Sequence, residues 1–331
     1  MLKSQGSILG YVPKDKPAPV EWHVAVWIVI LSCGAVLALF WHTVGTMVDI
    51  WAHSRTFAHG FLVLPACVYL IWCYRGRLSV LVPTPCRWGL LLIMVTASGW
   101  FVAYQTHTLL AQQVAVILML PGLVWATLGT DVLRAILFPL GFLVFALPVG
   151  TSVEPWLQDF TTAFIIAGLK LIRIPVISDE YFITIPSGTW EVARDCGGLR
   201  YVLPGLALGY LYAAVTYRHS LRRLGFLLLC VSLLILANGF RAYAIVVSDY
   251  LGITEGTDHR VFSYAVYGVT MISLFWLGLK WKEPAQNQGW GKKAGESHES
   301  AGVEDTALTA LAALGLLALA PLSTWLLSAH G

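Results

Sequence analysis

Residues 221–247 read LRRLGFLLLCVSLLILANGFRAYAIVV, and the seventeen residues between Arg223 and Arg241 include no charged side chain. Wound as an α-helix, that interval rises about 26 Å, close to the thickness of a bilayer's hydrocarbon core. A helix of this length in water needs a polar face, but here only Ser232 and Asn238 interrupt the apolar residues. The solvent for this segment is therefore lipid. Comparable runs lie near 22–42, 59–74, 87–104, 109–128, 132–149, 197–217, 260–280 and 306–328, which makes nine with this one. Composition agrees: 57% of residues are hydrophobic and 12% charged, with mean hydropathy +0.72, whereas soluble chains carry roughly 25% charged residues. The expected fold is an all-α polytopic membrane protein with about nine transmembrane helices. Its surroundings are membrane lipids, and no long basic block or acidic tail points to nucleic acid.

The basic residues set the expected orientation. Lys3, Lys14, Lys16, Arg75, Arg77 and Arg87 place the N-terminus and second loop in the cytoplasm, and Arg218, Arg222 and Arg223 place a later loop there too. An even number of crossings between residues 87 and 218 then leaves the segment 151–173 uncrossed. With Glu154, Asp159, Lys170 and Arg173 it reads as an interfacial helix, capped by Ser152 and offering Trp156, Phe160 and Phe164 to its apolar side. Residues 150–195 and 249–259 fall outside, on the periplasmic side. The chain divides into a cytoplasmic lead (1–21), a transmembrane domain (22–280), a cytoplasmic linker (281–305) and one more C-terminal transmembrane helix (306–331). The lead lacks a short apolar core with a cleavage site, so it is not read as a signal peptide.

Candidate chemistry gathers at the outer ends of three runs. Residues 181–193 alternate around Pro186-Ser187-Gly188 as a β-hairpin and lead into Asp195-Cys196-Gly197-Gly198. If Asp195 caps the next helix, Cys196 occupies its first turn, where the helix dipole favours a thiolate. Gly197 and Gly198 admit a second backbone, and their amides can face an oxyanion. The bland alternative is a buried thiol at a helix start. Arg241 sits near the outer end of its run, three residues after Asn238 on the same face; it is either a functional charge or one that snorkels to the headgroups. Asp258-His259 opens the next run at that level, Arg200 follows Cys196 by four residues, and His59 opens the second run, each with a structural alternative. Cys196 as nucleophile, His259 as proton shuttle and Arg241 as anion stabiliser make a coherent set. Of the six cysteines, Cys33, Cys67, Cys73 and Cys230 lie within apolar runs as packing residues, and no spacing suggests a metal site. No cofactor is expected.

These residues resemble the exosortase/archaeosortase family, particularly the bacterial exosortases that process proteins with a PEP-CTERM sorting tail. The matching stretches, in family order, are Phe57-Ala58-His59-Gly60-Phe61-Leu62-Val63, Ile185-Pro186-Ser187-Gly188, Asp195-Cys196-Gly197-Gly198-Leu199-Arg200-Tyr201, Ala237-Asn238-Gly239-Phe240-Arg241-Ala242-Tyr243 and Asp258-His259. The resemblance implies an eight-helix core plus one C-terminal helix, in a bacterial inner membrane with a periplasmic active site. It implies Cys196 as nucleophile, with Arg241 and His259 completing the catalytic group. Arg200, Asn238, His59, Asp258, Gly197 and Gly198 would support it. The implied reaction is cleavage of a C-terminal signal on membrane-anchored precursor proteins, with transfer of the new carboxyl end to an acceptor such as a polysaccharide or lipid. Two departures bear on thiol activation: Arg194-Asp195 precede the cysteine where Glu-Ala or similar is expected, and Gly197 replaces a common Ser. Some relatives continue into an outer soluble domain, whereas this sequence stops at Gly331, as a shorter form or a truncation. Two other classes compete. A transporter or flippase would use Arg241 and His259 for gating or proton coupling, and a polysaccharide polymerase would use them without a cysteine nucleophile.

Overall fold

The structure, a computed structural model, describes residues 22–217, 219–253 and 259–281, with the backbone alone at Asp195 and at 259–261. The expected lead 1–21, almost all of the linker 281–305 and the last run 306–328 lie outside the described residues. So do Arg218 and Asp258.

The first half of the chain is α1 (Trp22–Leu39), α2 (Trp41–His53), α3 (Gly60–Cys73), the single turn α4 (Arg75–Leu78), α5 (Arg87–Gln105), α6 (Leu109–Leu128) and α7 (Thr130–Gly141). Helices α5 and α6 form a tight antiparallel pair, since Gly89 lies directly against the backbone of Ala126 and a larger residue would separate them. Around α6, whose Val116, Met119 and Leu123 are fully buried, the other helices bring Val36, Leu70 and Ile93 into one core. Polar side chains within this core are bonded across helices: Trp100 Nε1 donates to Thr43 Oγ1 at 3.0 Å and Gln113 Nε2 to Thr46 Oγ1 at 3.1 Å. In lipid no water is at hand to satisfy them.

After α7 a 3-10 turn (Phe142–Ala146) and a second (Thr151–Val153) lead into α8 (Glu154–Leu171). Ser152 does not cap α8, as the sequence suggested; it sits within the second 3-10 turn, whose entry is set by Gly150 at φ 108°. A three-stranded antiparallel sheet follows, β1 (Ile177–Asp179), β2 (Phe182–Ile185) and β3 (Gly188–Glu191), in the order β1-β2-β3. The expected hairpin is β2 and β3. The added strand β1 is three exposed residues whose register, Ile177 opposite Thr184 and Asp179 opposite Phe182, is set by a tight turn with Glu180 at φ 48°. On β2 the side chains alternate, so Ile183 and Ile185 point inward while Phe182 and Thr184 do not. These isoleucines join Ile165 and Leu169 of α8 and Ala242 and Val246 of the long helix α10 (Ser220–Tyr250) in a small core of their own. A 3-10 turn (Arg194–Gly197), α9 (Leu199–Thr216) and α11 (His259–Lys280) complete the described chain.

Among the described residues five helices, α1, α5, α6, α10 and α11, are long and apolar enough to cross a membrane alone. A sixth crossing arises if residues 130–146 and 151–171 count together, although they bend by 72° where they meet. Among the described residues the fold is therefore an all-α polytopic membrane protein with five or six candidate spans and a small sheet; of the nine expected runs, 306–328 lies outside them, and the other eight do not each form a candidate span of their own. The shortfall has physical causes. Helix α3 has only 14 residues, about 21 Å of rise. Helix α9 is diluted by Arg200, Pro204 and three tyrosines. Residues 130–146 count as a candidate span only together with 151–171, across the boundary expected near residue 150.

Candidate active site

Helices α8 and α10 approach closely because each offers a glycine to the other's aromatic ring: Gly168 faces Tyr243 and Gly239 faces Phe164. This contact brings the polar residues of α8 under the 3-10 turn that carries Cys196. Gln158 Nε2 donates to the carbonyl of Val192 at 2.6 Å and fixes the end of the sheet. Thr161 and Thr162 return their hydroxyls to α8 carbonyls at 2.8 and 2.9 Å. At the sheet's outer edge Tyr181 donates to Asp159 Oδ1 at 3.0 Å. That bond, with the carboxylate's charge, holds the phenol above its ordinary range.

Cys196 is not in the first turn of a helix. It belongs to the 3-10 turn before α9, with its amide bonded to the carbonyl of Ala193 at 2.8 Å. Gly198 follows at φ 93° and serves as the N-cap of α9. The expected Asp195 cap and its dipole effect on Cys196 are thus replaced by a glycine hinge. The reason is packing, because a Cβ on Gly198 would overlap the carboxamide of Asn238 and one on Gly197 would press on the backbone of Gln158. The space beside the glycines, expected for a second backbone, is filled by the chain's own α10 and α8. The break also removes the helical four-residue relation between Cys196 and Arg200, which is half-buried as the second residue of α9.

Asn238 and Arg241 converge on the cysteine's backbone. Asn238 Nδ2 donates to the Cys196 carbonyl at 3.0 Å and to Thr161 Oγ1 at 3.2 Å, tying α10, α8 and the cysteine turn together. Arg241 Nη2 reaches the same carbonyl at 3.5 Å, and its Nη1 donates to Ser263 of α11 at 3.1 Å. The guanidinium lies 5.2 Å from the centre of the Tyr201 ring. Both side chains are almost wholly buried, yet Arg241 Nε and Asn238 Oδ1 find no hydrogen-bond partner among the described residues; nor does the Tyr267 hydroxyl. All three belong to residues lining one narrow cleft with Tyr201 and Ser263. A buried polar group left unbonded costs about 1–3 kcal/mol. An unused acceptor on Asn238 and unused donors on Arg241 and Tyr267 around one cleft therefore make it a candidate place for a water or another polar guest. The half-buried Cys196 side chain packs against the apolar core formed by α8, α10 and the sheet.

Of the expected group, Cys196, Arg241, Asn238, Gly197 and Gly198 are therefore together. His259 begins α11 one helical turn before Ser263, while its side chain and the whole of Asp258 lie outside the described residues. His59 keeps other company: its Nδ1 is 3.1 Å from the Thr56 carbonyl, just before α3. Ser263, Thr161, Gln158, Tyr201 and Tyr267 were not singled out from sequence. The signals were present, Ser263 at four residues beyond His259 and Gln158, Thr161 and Thr162 close together on one face of α8. Among the described residues no group of three or more His, Cys, Asp or Glu side chains is arranged to hold a metal.

Residues 51–276 match the family model described as Transmembrane exosortase (Exosortase_EpsH). No curated protein and no solved structure matches the chain. The matched interval runs from the end of α2 through most of α11 and contains every residue of the cleft and the cysteine turn. A match over more than half the sequence, joined to a many-helix membrane fold, means that this chain belongs to the transmembrane exosortase family.

Proposed function

We propose that the chain is a cysteine-dependent membrane endopeptidase and transpeptidase that cuts a PEP-CTERM-like C-terminal sorting signal and passes the new C-terminus to an acceptor. Membership of the family supports the substrate class. The observation that carries the residue assignment is the bonding around Cys196: Asn238 and Arg241 both hold its carbonyl while Arg241 keeps one buried donor unused. In this reading residues 22–280 form the catalytic domain. The basic loops support a cytoplasmic N-terminus and a periplasmic site in a bacterial inner membrane.

The Cys196 thiolate attacks the carbonyl carbon of the scissile peptide, and the carbonyl π electrons move to oxygen. Arg241 Nε donates to that oxyanion, which gains more from a preorganised charge than the neutral carbonyl did. His259, protonated when it accepts the thiol's proton, returns that proton to the departing amine as the C–N bond breaks. A thioester remains on Cys196. Water or an acceptor nucleophile then attacks it, gives its proton to His259, and releases the thiolate. Arg200 receives the acidic residue of the sorting motif, and the open edge of β3 offers an extended substrate backbone a strand partner.

Co-expression with a membrane-anchored protein carrying such a tail, followed by intact-mass measurement of the processed protein, tests the proposal. A shortened protein with an added acceptor mass indicates transfer, and one with a free carboxyl end indicates hydrolysis. Unshortened substrate beside folded wild-type enzyme would count against the substrate class. Topology is tested separately with a membrane-impermeant thiol reagent on intact spheroplasts. Labelling of Cys196 there is expected; labelling only after permeabilisation would reverse the orientation.

A further inference from the structure

At the opposite end of α10 from the cysteine turn, Arg223 is 7% exposed. Its Nε donates to the Tyr217 carbonyl at 2.9 Å, its Nη2 to the Tyr74 hydroxyl at 2.6 Å, and its guanidinium carbon sits 4.2 Å from the centre of the Phe138 ring. Every one of these partners is neutral. Among the described residues no carboxylate pairs with Arg223. A buried cation without a counter-charge is costly, particularly at membrane depth.

Beside Arg223 a cavity of about 460 Å³ opens between Tyr74, α4 and the loop after it, α7, α9 and the start of α10. Arg77 and Arg134 also line it, together with Ser220. Arg134 meets an acid only loosely, with Asp131 at 4.0 Å and both side chains more than half exposed, and the Arg77 guanidinium lies 5.1 Å from the Tyr74 ring centre. Thus three arginines from three different helices line one space. Val80 and Leu137, both largely exposed, flank it with apolar surface.

We propose that this cavity binds a phosphate group of net negative charge, carried by an anionic phospholipid headgroup or free, and discriminates against one whose charge a choline cation already balances. Phosphate supplies the missing negative charge and accepts several guanidinium hydrogen bonds at once. The neutral contacts already hold Arg223 in place, so little side-chain freedom remains to be lost on binding. The eighteen residues from Arg223 to Arg241 put the cavity about 27 Å along α10 from the cleft. The proposal is thus independent of the sorting chemistry.

The test uses the full chain, stripped of lipid in a neutral detergent. Thermal unfolding and native mass spectrometry are followed with phosphatidylglycerol, phosphatidylcholine or inorganic phosphate. Phosphatidylglycerol is expected to raise the unfolding temperature and to survive as a one-to-one adduct, with phosphatidylcholine doing neither. Stabilisation by inorganic phosphate as well identifies a site for the free ion; stabilisation by phosphatidylglycerol alone identifies a headgroup site. The double variant Arg77→Gln/Arg134→Gln, which leaves the Arg223 brace intact, should lose at least about tenfold in affinity. Arg222→Gln, an exposed arginine of the same helix outside the cavity, should not. Equal binding of the two lipids, no response to either phosphate source, wild-type affinity in the double variant, or an equal loss in Arg222→Gln would each overturn the proposal.

Discussion

Arg223 and Arg241 lie on one helix, are 7% and 9% exposed, and among the described residues neither pairs with a carboxylate. Their surroundings differ in a way that separates two uses of a buried charge. Arg223 borders a roomy cavity shared with two other arginines, where field and hydrogen-bonding capacity matter more than the placing of any single atom. Arg241 borders a narrow cleft, spends Nη1 on Ser263 and Nη2 on the Cys196 carbonyl, and retains Nε. Bond directions matter there. In hydrocarbon a charge persists only where the fold repays its burial, and the repayment at the cleft takes the form of fixed geometry.

The sharpest way to break this contrast is Arg241→Lys, which keeps the charge and discards the planar fork. Processing of a tailed substrate should fall by at least about 100-fold, in the range of lost oxyanion donors, with the protein still folded. Near-normal rates in a time course would reduce Arg241 to a bulk charge like the one proposed for the opposite cavity.

The next effect tests the support under the cysteine. Gly198→Ala combines a φ of 93° with a Cβ placed against Asn238, and should cost about 2–4 kcal/mol of stability. In an Asn238→Ala background the steric share of that penalty should disappear while the backbone share remains. A double-mutant cycle with no coupling would mean that the two residues do not meet. Asn238→Ala alone removes two hydrogen bonds and should cost about 1–3 kcal/mol, with slower processing because the cysteine turn loses its tie to α8.

The smallest effect belongs to the rim. Tyr181→Phe removes an exposed bond to Asp159, and should leave the unfolding temperature within about a degree and processing unchanged. A large loss of processing in that variant would extend the working site outward onto the sheet.

The same two ends of α10 show how far the sequence could be read. The apolar interval between the arginines announced lipid as solvent, because no tertiary detail is needed to see that a charge-free run of that length has no water-facing side. The β2–β3 hairpin was legible from alternation around Pro186-Ser187-Gly188, and the convergence of Cys196, Asn238 and Arg241 from their positions near run ends. The local shape at Cys196 was not legible. Whether Asp195 or Gly198 caps α9 depends on Asn238 arriving from a helix 40 residues further along the chain, and such a close approach leaves no local trace beyond a pair of glycines. The boundary near residue 150 was legible, because charged residues set 151–173 apart from the run before it, but the 72° angle of the bend was not. Apolar runs report burial in lipid, and their breaks are set by neighbours.

The central claim is that Cys196 forms a covalent acyl-enzyme. Wild-type enzyme and Cys196→Ala, each incubated with a tailed substrate and acid-quenched, can be compared by intact mass and peptide mapping. The account predicts an adduct on the wild-type peptide containing Cys196 that neutral hydroxylamine removes, and full-length, uncut substrate with Cys196→Ala. Cleavage by Cys196→Ala at the wild-type rate would contradict it.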